Sequence, residues 1–273
     1  MLTDPRDVSA AGLPGAVEGS LVEMFEHWSR WPRAELRDGG DHLRLLTGLP
    51  TSMFNGVFRV RMATSEPRDI EGRITSALQP FRARNLAAFW MIGPSTEPSD
   101  LAAYLLASGL RHLDDAAGMA ADLTTAGADP QSPPKLTIRL VHDKRTLADF
   151  NAAMNRGFGA SPAIREGFLE LFTSLGVGRG LPLLHYVGYL RGAAVSSATL
   201  FRGSDVAGIY NVATVTEARG QGIGTAMTLA AMCDARALGY RAAVLHATPE
   251  GMGIYRRLGF HEVCTIRWYE WRP

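Results

Sequence analysis

Residues 217–225 read Glu-Ala-Arg-Gly-Gln-Gly-Ile-Gly-Thr and run directly into the apolar-periodic stretch Ala226–Leu238. Glycines at 220, 222 and 224 let the backbone pass close to a ligand, and the first-turn N–H groups of the helix that follows have no intrahelical partner. With the helix dipole adding roughly half a positive charge, the segment forms an anion site whose natural ligand is phosphate or pyrophosphate. The competing interpretation is a tight strand-to-helix turn that binds nothing. Two other phosphate loops are excluded by spacing. The glycines run G-x-G-x-G rather than G-x-G-x-x-G, no Lys-Ser/Thr pair follows, and antiparallel hairpins precede the loop where alternating strands and helices would be needed.

The elements that must position this loop are legible around it. Leu136–Val141 alternates apolar and polar residues as a strand does, and helical patterns follow at Leu147–Met154 and Pro162–Leu175, the second opening on Ser161 as a cap. Leu183–Leu190 and Ala194–Phe201 read as strands joined through Arg191-Gly192, and Gly203-Ser-Asp205 turns the chain into a third strand, Val206–Val215. After the loop and its helix come a strand at Ala242–Ala247, a short helix at Met252–Leu258 ended by Gly259, and a last strand at Val263–Trp271. Upstream, Gly127–Pro134 holds three prolines and a glycine between apolar-patterned regions, the composition of a linker.

Composition narrows the possible functions. The 273 residues exceed the usual domain size and favour one large domain or two small ones. With 28 Lys+Arg against 27 Asp+Glu, the formal net charge of +1 gives no basic field, so nucleic acid is not an expected partner. The longest unbroken apolar run, Leu86–Ile92, is far short of the roughly 20 residues that span a membrane, and the N-terminus lacks the apolar core of a secretory signal. The expectation is a cytoplasmic protein with no membrane partner. Cys233 and Cys264 lie 31 residues apart and the seven histidines form no close pair, which disfavours a disulfide framework and a metal site. Only Lys135 and Lys144 are lysines among the basic residues, a bias attributable to a GC-rich genome.

The loop Arg219–Gly224 resembles R/Q-x-x-G-x-G/A, the pyrophosphate-binding motif of the GNAT superfamily of N-acetyltransferases. The resemblance extends to Asn211–Val215 before the loop and to Ile254-Tyr-Arg-Arg-Leu-Gly-Phe260 after the next strand, and it covers residues from about 136 to 273. It implies an α/β fold of the α+β mixed-sheet kind, with acetyl-CoA in a V-shaped opening between the fourth and fifth strands, here Val206–Val215 and Ala242–Ala247. On that resemblance the pantetheine arm pairs with the backbone of Val212, Ala213 and Thr214. The pyrophosphate is held by amides of Gly220, Gln221, Gly222, Ile223, Gly224 and Thr225, with the Arg219 side chain assisting. A backbone amide near Ala213 or Thr214 would stabilise the oxyanion. Tyr255 matches the family's tyrosine, the proton donor to the departing thiolate; the alternative is a core aromatic on an amphipathic helix.

Other assignments stay open. The general base is Glu217, His246 or a water relay. Cys264 has no activating neighbour in view and reads as a buried thiol. Phe158, Tyr210 and the Trp268–Trp271 segment are candidate acceptor-pocket residues, although aromatics on strands usually pack. Thr248 stands where the family often has Asn, which puts one cofactor contact in question.

The first half carries an echo of the second. Met53–Phe58 resembles Ile209–Thr214 with Asn55 matching Asn211, followed by a helical pattern at Ile74–Arg84, a strand at Leu86–Ile92 and a helix at Asp100–Ala107 ending near Gly109. Asn55 to Gly109 is 54 residues and Asn211 to Gly259 is 48. The expectation is two tandem GNAT-like units, each a twisted mixed β-sheet flanked by helices: residues 1–130, degenerate and without a cofactor site, and residues 131–273. In the first, Ser65-Glu-Pro-Arg-Asp-Ile-Glu71 replaces the glycine loop, and Leu105, next to Tyr104, stands where Tyr255 does. The implied function is acetyl-CoA-dependent transfer of an acetyl group to a primary amine of a small molecule or protein; the alternative is a non-catalytic acyl-CoA-binding or sensing module.

Overall fold

The computed structural model describes residues 9–125 and 133–273. Apart from Pro133 and Pro134, the linker expected at Gly127–Pro134 lies outside the described residues. In chain order the elements are α1 (Leu13–Trp28), β1 (Glu35–Asp38), β2 (Leu43–Leu46), β3 (Gly56–Phe58), α2 (Pro67–Ala83), β4 (Ala88–Ile92), α3 (Leu101–Ala107) and β5 (Arg111–Asp122). They continue with β6 (Leu136–Leu140), α4 (Lys144–Phe158), α5 (Pro162–Leu175), β7 (Leu183–Leu190), β8 (Ala193–Arg202) and β9 (Ala207–Thr214). The chain ends with α6 (Ile223–Ala237), β10 (Ala242–Ala247), α7 (Pro249–Arg257) and β11 (His261–Trp271). This is a mixed α/β fold. No helix among the described residues is long and apolar enough to cross a membrane.

Local chemistry explains the boundaries. Asp143 accepts from Thr146 N while Thr146 returns its side chain to the Asp143 backbone, a capping box that starts α4, and Gly159 ends it in the left-handed region at φ 64. Ser161 and Pro162 start α5 at the predicted residue. Arg191 and Gly192 both take positive φ, 52 and 87, the pair that a two-residue hairpin turn of the right twist requires.

The chain divides into two compact units that are not its contiguous halves. One comprises residues 1–24 and 117–263, the other 25–116 and 264–273. The cut expected between residues 130 and 131 therefore does not describe them. The reason is an exchange of strands. β5, early in the chain, pairs with β10 over six residues from Ala117↔Ala247 to Asp122↔Ala242. β11, last in the chain, pairs with β4 from Arg267↔Ile92 to Trp271↔Ala88. Each unit has its own core, around Met227, Leu245 and Phe260 in one and around Ile74, Phe81 and Trp90 in the other.

The C-terminal unit is built on β6, β7, β8, β9 and β10, antiparallel until β9 and β10, which run parallel. The N-terminal unit repeats the motif: β1, β2 and β3 pair antiparallel, and β3 runs parallel to β4. This repeat corrects the alignment of Asn55 with Asn211. The two parallel ladders begin at Gly56↔Phe89 and at Ala207↔Ala243, so Asn55 lies one residue before the region that matches β9. Asn55 instead holds a loop together, accepting from Thr47 N and donating from Nδ2 to the carbonyls of Leu49 and Thr51. The left-handed residue in this part of the N-terminal unit is Arg59, just past the end of β3, at φ 52.

Candidate functional site

In the C-terminal unit β9 and β10 pair at only two positions, Ala243↔Ala207 and Val244↔Gly208. Beyond them the strands part, so β9 from Ile209 to Thr214 has no ladder partner on its β10 side. β10 itself is paired along its full length on the opposite edge. Free backbone edges of this kind need a partner, and an extended polar ligand between the strands supplies one.

A bulge shapes the β9 side of this opening. Thr199 stands opposite Tyr210 and Ser197 opposite Ala213, so β9 carries an extra residue there, and Asn211 sits at φ 53. Three buried hydroxyls hold it. Ser197 Oγ donates to Asn211 O at 2.7 Å, Ser196 Oγ donates to Ala213 O, and Asn211 Nδ2 donates to Thr199 Oγ1 at 3.2 Å. Behind Thr199 lies His185, buried at 1% exposure, its Nδ1 2.9 Å from Thr199 Oγ1 and its ring between Phe150 and Phe172. Burial pulls this imidazole down to about 3, so it is neutral. These supports escape sequence reasoning, and their only trace is the polar run Ser196-Ser197-Ala198-Thr199 inside an otherwise apolar strand.

The glycine loop follows directly. Gly220 and Gly222 take φ 75 and 76, and α6 begins at Ile223 with Gly222 as a cap that offers no side-chain acceptor. The helix thus starts three residues earlier than its apolar pattern indicates, inside the loop. The first-turn N–H groups of Ile223, Gly224 and Thr225 are consequently available to an anion. The Ile223 side chain is buried in the core, so its backbone alone faces the site. A Cβ placed on Gly224 would lie 3.8 Å from both Thr214 Oγ1 and Ile254 Cδ1, between the end of β9 and α7.

Arg219 is engaged differently from its expected role. Its Nε donates to Thr214 O at 3.1 Å and its Nη2 to Gly157 O at 2.8 Å, tying the loop to the end of β9 and to α4. Gly157 is itself a close approach: a Cβ there would lie 2.8 Å from Ala213 Cβ. Glu217, a candidate base, is exposed and ion-paired to Arg156 of α4. His246 lies on β10 beyond its last ladder pair with β9, its ring stacked on Tyr210 at 5.9 Å and its Nε2 enclosed without a hydrogen-bond partner. Burial holds it down to about 4. Tyr210 in turn hydrogen-bonds Ser20 of α1 at 2.9 Å.

Tyr255 sits on α7, partly buried, its ring edge-on to Phe260 at 6.0 Å. Burial pushes its phenol up to about 12. Thr248 Oγ1 caps α7 by accepting from Gly251 N. Phe158 is exposed at the end of α4. The aromatics Trp268, Tyr269 and Trp271 belong to the N-terminal unit, where Trp268 packs on Phe89 and Tyr269 joins the core. They are packing residues of that unit's sheet. Neither cysteine is in a disulfide, and no cluster of three or more metal-ligating side chains occurs among the described residues.

Residues 183–262, which contain the bulge, the loop and Tyr255, match the acetyltransferase (GNAT) domain family. Similar solved structures include a GCN5-related N-acetyltransferase from Kribbella flavida, 18% identical with a TM-score of 0.70 over 93% of this chain and 95% of the other. A GCN5-related N-acetyltransferase from Sphaerobacter thermophilus is 18% identical, with a TM-score of 0.66 over 100% and 98% of the two chains. A tandem GNAT protein from the clavulanic acid biosynthesis pathway is 16% identical, with a TM-score of 0.64 over 98% and 96%. Comparison with curated proteins gives no significant match.

Proposed function

We propose that this chain, a GNAT superfamily protein, is an acetyl-CoA-dependent N-acetyltransferase whose C-terminal unit acetylates a primary amine of a small molecule or protein. One observation carries the proposal: β9 and β10 separate after two ladder pairs, and the opening leads to the glycine start of α6, which has no side-chain cap. Together they supply unpaired peptide edges for the pantetheine amides and unpaired N–H groups for the pyrophosphate.

Bound acetyl-CoA supplies an activated thioester. The backbone of Val212, Ala213 and Thr214 would pair with the pantetheine arm, held in register by the Ser196 and Ser197 hydroxyls. The N–H groups from Gly220 to Thr225 would cradle the pyrophosphate, and Arg219 would keep loop and strand together through Thr214 O rather than touch the phosphates first. Tyr255 would face the sulfur. With its phenol at about 12, full transfer of the proton to a thiolate whose ordinary pKa is about 8.5 is uphill by roughly three to four pH units. Tyr255 therefore acts by donating a hydrogen bond to the departing sulfur, a milder role than the proton transfer expected from the motif. The proton lost by the amine would go to a water relay: the ion pair of Glu217 with Arg156 counts against that carboxylate, and the burial that holds His246 down to about 4 counts against that imidazole.

The test is release of free thiol from acetyl-CoA across a panel of primary amines. Amine-dependent release supports the enzyme; saturable CoA binding with no release from any amine supports the sensing module instead.

A further inference from the structure

The N-terminal unit contains a charged arrangement that its own packing does not explain. Arg37 on β1 stands directly opposite Arg44 on β2. Side chains at such positions lie about 5 Å apart, and like charges there destabilise a sheet. Arg84, at the end of α2, joins them: Arg37, Arg84 and Arg44 all act on the carboxylate of Glu35. That carboxylate is the single anion of the group, and it is committed to Arg37, whose Nε donates to it at 2.9 Å. Arg84 donates only weakly, to Pro80 O at 3.4 Å, and also has the C-terminal end of the α2 dipole beside it. Arg44 makes no hydrogen bond or ion pair among the described residues, although it is partly buried. Burial outweighs the attraction of Glu35 and, with Arg37 and Arg84, holds its guanidinium below the ordinary range.

Glu35, Arg44 and Arg84, but not Arg37, border a cavity of about 350 Å³ lined also by Leu46, Gln79 and Pro80. A volume of that order accommodates a small ligand. Arg37, from outside the lining, neutralises Glu35, which leaves Arg44 and Arg84 as two uncompensated positive charges at the wall. A compact dianion would cancel that excess and give Arg44 the partner it lacks, because guanidinium donors match phosphate oxygens in charge and geometry. The cavity is larger than a bare phosphate, which leaves room for an organic group beside Gln79 and Leu46.

We propose that the cavity between β1, β2 and the last turn of α2 is a binding site for a small phosphomonoester, with Arg44 and Arg84 donating to the phosphate oxygens. The site is separate from the acetyl-CoA assignment and stands or falls independently of it.

Calorimetric titration and thermal unfolding of the full chain test it, with glycerol 3-phosphate as probe and inorganic phosphate, sulfate and succinate as comparisons. The titrations use a Gly224→Val background, so that the α6 loop does not contribute phosphate binding. Glycerol 3-phosphate is expected to bind and to raise the melting temperature. Arg44→Gln should weaken it at least tenfold while raising the ligand-free melting temperature, since the opposition to Arg37 is relieved. Arg84→Gln serves as the second variant should Arg44→Gln fold poorly, and should weaken binding similarly. The proposal is overturned by no binding, by an affinity that neither variant changes, or by equal effects of succinate and sulfate. A ligand-free melting temperature lowered by Arg44→Gln would also overturn it, because it would show that the charge is already balanced.

Discussion

Met62 donates its backbone N–H to the carbonyl of Glu97 at 3.0 Å, and Glu97 returns its own N–H to Val60 at 3.1 Å. Counted from the parallel ladders, Val60 and Met62 occupy in the N-terminal unit the places that Asn211 and Ala213 occupy in the C-terminal one. The edge left free for a ligand in one unit is thus closed by the protein's own backbone in the other. The helix that follows, α2, begins with Pro67 and carries Asp69 in its first turn, so its N-terminus already has an anion. Hydrogen exchange should therefore find the Met62 amide protected with or without acetyl-CoA, whereas the segment from Val212 to Thr214 gains protection only on its addition. Equal gains in both segments would count against this asymmetry.

Leu105 and Tyr255 are equivalent by the same kind of evidence: Leu110 N donates to Leu105 O, and Phe260 N to Tyr255 O, each at 3.0 Å. The phenol is thus present only in the unit with the open edge. Tyr255→Phe is expected to leave acetyl-CoA affinity within about twofold and to lower kcat by roughly 10- to 100-fold, the worth of one hydrogen bond to a developing charge. Steady-state kinetics with a productive amine decides it; an unchanged kcat with chemistry limiting would return Tyr255 to a packing role.

The exchange of strands makes each unit depend on both ends of the chain. A fragment of residues 131–273 lacks β5, so six residues of β10 lose their antiparallel partner and the buried Met119 and Ala121 leave the core. Burial at about 25 cal/mol per Å² and an open sheet edge both argue that this fragment aggregates or stays unfolded. Circular dichroism and gel filtration of the fragment check this; a monomeric, cooperatively melting product would show that β5 is dispensable.

Much of this was legible in the sequence, because its signals are local. Three glycines before an apolar helix announce the loop, Ser161-Pro162 starts α5, and the run of Ala242–Ala247 gives β10 to the residue. What was hidden depends on distant partners. The patterns of β5 and β11 say that they are strands but not that each pairs in the other half's sheet. Asn55 resembled Asn211 in its neighbours, yet one is extended at φ −134 and holds a loop while the other is left-handed in a bulge. Arg219 fitted a phosphate ligand by motif, and only its distances to Thr214 O and Gly157 O reveal the tie it makes.

His185 gives a pH dependence. Its folded pKa, about 3, lies below the ordinary 6.5, so the unfolded chain binds the proton more readily. The stability this represents is complete above about pH 6.5 and is lost as the pH falls toward 3, amounting to roughly 3 kcal/mol by pH 4. His185→Phe should flatten the fall in stability between pH 6.5 and 4 measured by urea unfolding. An equally steep fall in the variant would mean that other groups carry the acid sensitivity.

The assignment of acetyl-CoA to the opening between β9 and β10 of the C-terminal unit, and to no other place in the chain, is decided by calorimetric titration of the wild-type protein and Gly224→Val. Position 224 is suited to the purpose, since its backbone is helical and a Cβ would meet nothing closer than 3.8 Å, so the variant should fold while its methyl groups occupy the opening. Gly222, at φ 76, would be strained by any side chain and is the poorer probe. One equivalent of acetyl-CoA per wild-type chain is expected, with an affinity at least about 100-fold weaker in Gly224→Val, a loss near 2.7 kcal/mol. Two equivalents per chain, or undiminished binding by a folded Gly224→Val protein, would contradict it.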